Sequence, residues 1–481
     1  MREYKELYIG GSWAAPSHDR FVDVVSPHSQ EVVGTAPEGT PDDVDRAVAA
    51  ARHAFDHGPW PTMDPKERLA AVQRIADAYN ARQAELSELI STEMGAPLWF
   101  SQVGQVGATS MALAAFLNFG AQYPWEERRT GFFGQDVVVR REPAGVAGMI
   151  TPWNVPHFTT ISKLIPALLA GCTVVLKPSE EVPLSVLALA EIIDEAGLPE
   201  GVVSIIPAGR DTGEHLVRHP GVDKISFTGS PTAGKRIASL CGQDLRRVTL
   251  ELGAKSAAII LDDADLAMTI ERLPLASLLN SGQACIAQTR ILASRQRYDE
   301  VVDAVTTMVN GLPVGDPLDA ANYIGPMVSQ RQQQRVDGYI TLGQEEGARL
   351  VTGGNGMPDG LDRGWYVRPT VFADVDNRMR IAQEEIFGPV LAVIPYDDEA
   401  DAIRIANDSA YGLGGSVWTS DVEHGVDVAR KIRTGTLGIN QYLLDFNSPF
   451  GGYKSSGFGR EFGPEGIEPY IEYKSIALPL G

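Results

Sequence analysis

The sequence predicts an α/β protein: a parallel-sheet, Rossmann-like domain, a second α/β domain, and a small β element. Three observations carry the α/β reading. Short β-rich runs recur between residues 145 and 251, helical segments lie between successive runs, and a second set of β-rich and helical segments follows from about 252 to 436. Such alternation implies right-handed crossovers, which place the ligand-binding loops at the carboxyl ends of the strands.

Taken in order, the first strand is read at Val146–Ile150 and the second at Thr173–Lys177. Between them Thr159–Ala170 has helical spacing and stops at Gly171, since glycine readily takes the left-handed turn that ends a helix. A helix over Leu184–Ala196, stopped by Gly197, leads to a strand over Val202–Ile206. Thr212–Arg218 and Thr232–Leu240 read as helices on either side of a fourth strand, Lys224–Thr228, and Arg247–Glu251 is the fifth.

Composition narrows the function. A chain of 481 residues with 44% hydrophobic content can bury large cores and should divide into two or three domains. Its 41 basic and 62 acidic residues give a formal net charge of −21, which repels nucleic-acid phosphates and anionic membranes, so neither is an expected partner. The apolar stretch from Ile161 to Ala170 is broken by Ser162, Lys163 and Pro166 and is too short to span a bilayer. The first residues lack the basic start and apolar run of a secretory signal, and a cytoplasmic protein is expected.

Cys172, Cys241 and Cys285 are too few and scattered for a disulfide framework, and no CxxC pair offers a metal seat. His215 and His219 have the spacing of a helical metal pair. Leu216 stands where a zinc-peptidase helix carries glutamate and no third ligand is evident, so no metal is expected.

The residues after each strand form a set that belongs on one rim. Thr151-Pro152-Trp153-Asn154 follows the first, Lys177-Pro178-Ser179-Glu180 ends the second, Thr228-Gly229-Ser230 ends the fourth, and Glu251 ends the fifth. A helix starting after Gly229-Ser230 suits a pyrophosphate, because helix amino ends present free N–H groups. Lys177 and Glu180 stand where a ribose would be gripped. A carboxylate accepts a 2′-hydroxyl but repels a 2′-phosphate, which favours NAD over NADP. Cys285, in the run Asn280-Ser281-Gly282-Gln283-Ala284-Cys285, would by itself be read as an inert core thiol. Paired with Glu251, it supplies the nucleophile and the base needed to trap a carbonyl and hydrolyse the product.

Seven ordered blocks between residues 150 and 460 carry a family resemblance: Ile150-Thr151-Pro152-Trp153-Asn154-Val155-Pro156, Lys177-Pro178-Ser179-Glu180, Phe227-Thr228-Gly229-Ser230, Glu251-Leu252-Gly253-Ala254-Lys255-Ser256, Gly282-Gln283-Ala284-Cys285, Glu385-Ile386-Phe387-Gly388-Pro389 and Pro449-Phe450-Gly451-Gly452-Tyr453-Lys454-Ser455-Ser456-Gly457. In these the chain resembles the aldehyde dehydrogenase superfamily, in its hydrolytic, NAD(P)-dependent branch. The resemblance implies that Cys285 is the nucleophile, Glu251 the base, and Asn154 the oxyanion donor together with the Cys285 N–H, with Lys163 supporting Asn154. It implies cofactor contacts from Ile150, Thr151, Pro152, Trp153, Lys177, Ser179, Glu180, Gly209, Gly213, Phe227, Thr228, Gly229, Ser230, Leu252, Glu385 and Phe387.

By position, Val155, Phe158, Thr159, Ser162, Ala284, Ile286, Leu444 and Phe450 should border the aldehyde entrance. They are mostly apolar and include no arginine, which favours a medium-chain, terpenoid or aromatic aldehyde over a charged semialdehyde. Ser162 stands where relatives often carry a large aromatic, so a wide tunnel is expected. The implied domains are 1–125, 143–251 and 437–469 for NAD binding and 252–436 for catalysis. Residues 126–142 and 470–481 would be oligomerisation strands of a dimer or tetramer. Two departures from the family pattern, Ala254 for a second glycine and Ser179 for alanine, touch no reacting group. A CoA-acylating relative would need no base at Glu251, and a silent member would need neither Cys285 nor Asn154.

Overall fold

A computed structural model describes residues 1–479. The five expected strands are present as β1 (Val146–Thr151), β2 (Thr173–Pro178), β3 (Val203–Ile205), β4 (Lys224–Thr228) and β5 (Arg247–Glu251). They lie in the order β5-β4-β1-β2-β3, all parallel. Chain order reverses between β1 and β4, which opens a crevice at their carboxyl ends. Two antiparallel additions make the whole sheet mixed: the hairpin Leu7–Ile9 and Ser12–Ala14 beside β3, and Gly457–Phe458 beside β5.

Helices α1 (Pro156–Ala170), α2 (Pro183–Glu195), α3 (Arg210–Arg218) and α4 (Pro231–Gln243) make the crossovers. Each begins earlier than its periodicity predicts, α1 at Pro156 and not at Thr159. In three of them proline opens the helix, where a missing N–H costs nothing and the fixed φ is already helical. Gly171, at φ 96°, ends α1 as expected.

A second sheet of seven strands runs Arg349–Thr352, Thr370–Ala373, Val390–Tyr396, Arg290–Ser294, Ala257–Ile260, Gly415–Trp418 and Gly438–Ile439, with only the first antiparallel. The second sheet reaches past residue 436. Gly438–Ile439 pairs with Ser416 and Val417 inside the second sheet, so the chain returns to the first domain later. A strand of two residues has no periodicity to read.

Glu126–Thr130, Asp136–Pro143 and Ile471–Ala477 form a separate three-stranded antiparallel sheet. The two stretches expected to lie outside both cores are thus joined to each other, apart from 480–481, which lie outside the described residues. Beyond Ile471 the last strand is exposed, including Tyr473 and Ile476. The largest core cluster joins α1, α2 and the helix Pro65–Ala81 to β1–β3, and it also takes in Ala284, Leu413 and Phe450. The Cys285 loop therefore packs on the first domain although its own strand belongs to the second. Among the described residues no helix is long and apolar enough to cross a membrane.

Candidate active site

Strand register assembles the rim. Ile150 of β1 lies opposite Lys177 of β2 and Phe227 of β4, and Thr228 lies opposite Glu251 of β5. Immediately after β1 the chain turns through Pro152 and Trp153 into Asn154, which is buried. Asn154 donates from Nδ2 to the Gln283 carbonyl at 3.0 Å, tying the β1 loop to the Cys285 loop. An amide nitrogen carries two hydrogens, so one remains for another acceptor.

Cys285 is half-buried, packed against the core between Ala284 and Ile286. The turn before it is forced: Asn280 and Ser281 both hold left-handed backbone, at φ 52° and 59°. Two consecutive non-glycine residues in that region store strain that the surroundings must impose. Burial, and then the carboxylates of Glu385 and Glu251, push the Cys285 thiol up to about 12, while its own backbone N–H pulls the other way. The thiol thus feels both candidate carboxylates and is held neutral unless positive charge arrives.

Glu251 is 4% exposed and neither carboxyl oxygen has a partner among the described residues. Burial raises its pKa well above the usual carboxylate range, with Glu461 adding to the rise and Lys163 and Arg460 opposing it. A buried carboxyl with no donor is costly, and such sites are where functional groups are found.

Lys163, expected to support Asn154, is paired with an acid. It is fully buried and its ammonium donates to Glu461. Ser162 departs from expectation: it is 1% exposed, and its hydroxyl donates to Glu461 Oε2 at 2.8 Å, so it faces an ion pair and not an open tunnel. Glu461 was not legible as a site residue, because its partners lie about 300 positions away in the chain.

The cofactor candidates converge on the crevice. A Cβ on Gly209 would meet Glu180 Oε2 at 2.8 Å and Glu38 Oε1 at 3.9 Å, so the carboxylates of Glu180 and Glu38 lie on either side of this backbone position. Burial, then Glu181, raises the Glu180 carboxyl, with Glu38 adding further. Glu38 and Glu181 thus add negative charge beside Glu180. Lys177 is 7% exposed, with burial lowering its ammonium to about 8, and its side chain passes beside Gly213 and Ile150. The Ser179 hydroxyl is taken by Glu181. The start of α4 offers less to an anion than its sequence suggests. The Gly229 N–H is spent on the Glu251 carbonyl at 3.0 Å, the Ser230 hydroxyl caps Ala233, and Pro231 has no N–H.

Glu385 lies over Gly253, where a Cβ would sit 2.3 Å from Oε2, and accepts from the Ala254 N–H at 2.9 Å. The close approach therefore falls on the retained glycine, and alanine at 254 does no harm. Burial raises the Glu385 carboxyl to about 7. Phe387, in left-handed backbone at φ 65°, sets its ring edge-on to Trp153 at 5.4 Å. Gln332 donates to the Phe387 carbonyl at 2.8 Å and Arg335 donates to the carbonyls of Glu385 and Ile386, two supports that sequence reasoning missed. Leu252 is buried, its N–H bonded to the Ser456 carbonyl.

Val155, Phe158, Ile286 and Leu444 are half-buried against the main core, while Thr159, Ala284 and Phe450 are buried. Phe158 also packs on Phe446 at 5.9 Å and Phe462 at 5.2 Å, giving an aromatic wall wider than the motif positions indicated. His215 and His219 both turn to Asp45. His219 Nδ1 accepts from the Gly221 N–H, which puts its proton on Nε2 and leaves no lone pair there for a metal. Among the described residues no group of three or more potential ligands is placed to hold a metal ion.

Comparison with known proteins gives a consistent picture. A model of the aldehyde dehydrogenase family matches residues 13–476. A geranial dehydrogenase of Castellaniella defragrans is 49% identical over 476 residues, 99% of each chain. An aldehyde dehydrogenase of Mycobacterium tuberculosis, solved with NAD+, superposes with a TM-score of 0.98 at 52% identity, covering 100% of this chain and 99% of that one. A mutant of aldehyde dehydrogenase C from Pseudomonas syringae, solved with NAD+ and octanal, gives 0.95 at 42% identity, covering 98% and 96%.

Proposed function

The chain belongs to the aldehyde dehydrogenase family, and from that premise we propose that it oxidises an apolar aldehyde to its carboxylic acid with NAD, through a thioester on Cys285. The observation that supports the reading best is the tie of Asn154 Nδ2 to the Gln283 carbonyl, two residues before Cys285, with Glu251 near enough to push the Cys285 thiol up.

The Cys285 thiol first releases its proton to water; the thiolate Sγ then attacks the aldehyde carbon, and the carbonyl oxygen becomes an oxyanion. The free Asn154 N–H and the Cys285 backbone N–H hold it; one such donor is typically worth about 3 kcal/mol to the charged state. Bound NAD+ supplies the hydride acceptor and a positive charge. Collapse of the oxyanion leaves a thioester on Cys285. Water then attacks that carbonyl while Glu251 takes its proton, and the sulfur departs. Glu251 can do this only when ionised, and its raised pKa means that it ionises at higher pH than an ordinary carboxylate does. Lys163 and Glu461 set the charge around it.

NAD is favoured over NADP by Glu38, Glu180 and Glu181 together. A medium-chain, terpenoid or aromatic aldehyde is supported by the apolar wall of Phe158, Ile286, Leu444 and Phe450 and by the name of the Castellaniella relative. The exposed strand Ile471–Ala477 suits pairing between copies in a homo-oligomer, and three unpaired cysteines suit the cytoplasm.

The test is to mix the protein with NAD and a panel of aldehydes, with and without CoA. Octanal, terpenoid and aromatic aldehydes should be oxidised at rates that CoA does not change. Oxidation of no aldehyde, or a requirement for CoA, would overturn the proposal.

A further inference from the structure

The helix from Leu98 to Gln122 is not α-helical throughout. Over Ser101–Gly107 it is wound as a π-helix, between Leu98–Phe100 and Ala108–Gln122. Such widening is less stable than α-helix and tends to occur where a side chain must reach a place that a regular helix would miss. The widened turn carries Gln105, which is fully buried.

Gln105 Nε2 donates to the backbone carbonyl of Asn154 at 3.3 Å and contacts Met94 Sδ at 3.3 Å, while its Oε1 has no partner among the described residues. From the other domain, Asn280 Nδ2 donates to the same carbonyl at 2.9 Å and to the Gln283 carbonyl at 3.2 Å, and Asn280 Oδ1 also has no partner among the described residues. One carbonyl is thus gripped by two amides, each of which leaves its own oxygen buried and unpaired. The neighbouring backbone is strained at Asn280 and Ser281.

We propose that Gln105 is a positioning residue for the reaction: it fixes the peptide plane of Asn154 and so aims the Asn154 side-chain amide at the carbonyl oxygen attacked by Cys285. This rests on the reading of Asn154 as oxyanion donor. Fixing the carbonyl fixes the direction in which Asn154 leaves the backbone, and its Nδ2 bond to Gln283 then holds the remaining N–H relative to Cys285, two residues along. Stability alone does not account for glutamine here. Leucine would fill nearly the same volume and remove an unpaired buried oxygen, so a purely structural position would favour it. An arrangement that gives up stability for a fixed geometry is what functional sites show.

The experiment compares Gln105→Leu, Gln105→Met, Asn154→Ala and the double variant Gln105→Leu/Asn154→Ala in the full-length protein. It reads the pre-steady-state burst of reduced nicotinamide, the KM for NAD and the melting temperature. In Gln105→Leu the burst should slow about tenfold, because a small misplacement of a catalytic donor is costly. The KM for NAD should change by less than about twofold and the melting temperature should hold or rise. Gln105→Met should behave alike and serves if the leucine variant folds poorly. Asn154→Ala should slow the burst about a hundredfold or more, and the double variant should be no slower than Asn154→Ala, since both act through one group.

A wild-type burst in Gln105→Leu, with Asn154→Ala slow, overturns the role of Gln105 and leaves that of Asn154 standing. A wild-type burst in Asn154→Ala overturns the oxyanion reading itself. Parallel loss of burst, NAD affinity and melting temperature in both Gln105 variants, or additive losses in the double variant, would make Gln105 merely structural.

Discussion

How Cys285 is charged can be measured directly. With its thiol pushed up to about 12 by burial, Glu385 and Glu251, the thiolate fraction at about pH 7.5 is roughly three in a hundred thousand. An ordinary thiol with a pKa of about 8.5 is roughly one-eleventh ionised there. Alkylation of Cys285 by iodoacetamide in the free enzyme should therefore be about three thousand times slower than that of a free thiol, before any loss from restricted access. A single positive charge brought to about 5 Å of a thiolate, at an effective dielectric constant of about 20, would contribute about 3 kcal/mol, or about two pK units. Saturating NAD+ should then raise the rate about a hundredfold. The assay is labelling followed by mass spectrometry from about pH 6 to 11, with Cys285→Ala as the blank, because Cys172 and Cys241 are buried. In free enzyme the rate should climb across the whole range, and with NAD+ the profile should move about two units toward acid. A plateau below about pH 9 in free enzyme, or no movement with NAD+, would refute the reasoning.

Two further outcomes follow from the same geometry. Lys163→Met leaves Glu461 buried without its counter-ion, and urea unfolding should show a loss of about 3 kcal/mol or more; an unchanged midpoint would mean that the Ser162 bond alone suffices. Glu180→Gln should raise the kcat/KM ratio for NADP over NAD only about fivefold, the effect of removing about 1 kcal/mol of repulsion, and Glu38→Gln on top should raise it by a similar factor. Full NADP use after the single change would mean that Glu38 and Glu181 do not face the ribose.

Much of this was legible because it is local in sequence. The strands β1 to β5 stood out as apolar runs between turns, and the rim residues Asn154, Lys177, Glu180 and Glu251 followed from where those runs end. What could not be read depends on partners distant in the chain. Glu461 matters through Lys163 and Ser162, Gln332 and Arg335 through the carbonyls after Glu385, and Gln105 through that of Asn154. The helix starts were misread where proline, and not an apolar residue, opens the first turn, as at Pro156. Ser162 was expected to widen a tunnel because small side chains usually leave space, yet a buried hydroxyl needs an acceptor and Glu461 provides it.

The central claim, that Cys285 captures the aldehyde and Glu251 releases the acid, is tested most directly by the Glu251→Gln variant mixed rapidly with NAD and a good aldehyde substrate. The raised carboxyl of Glu251 means that the wild-type steady rate should climb as the group ionises above the ordinary carboxylate range, and the glutamine variant should lack that limb. The account expects a burst of reduced nicotinamide equal to the enzyme present, then turnover slowed about a hundredfold or more, with the substrate's acyl mass on the Cys285 peptide after acid quench. Unchanged steady turnover, or loss of burst and turnover together, would contradict it.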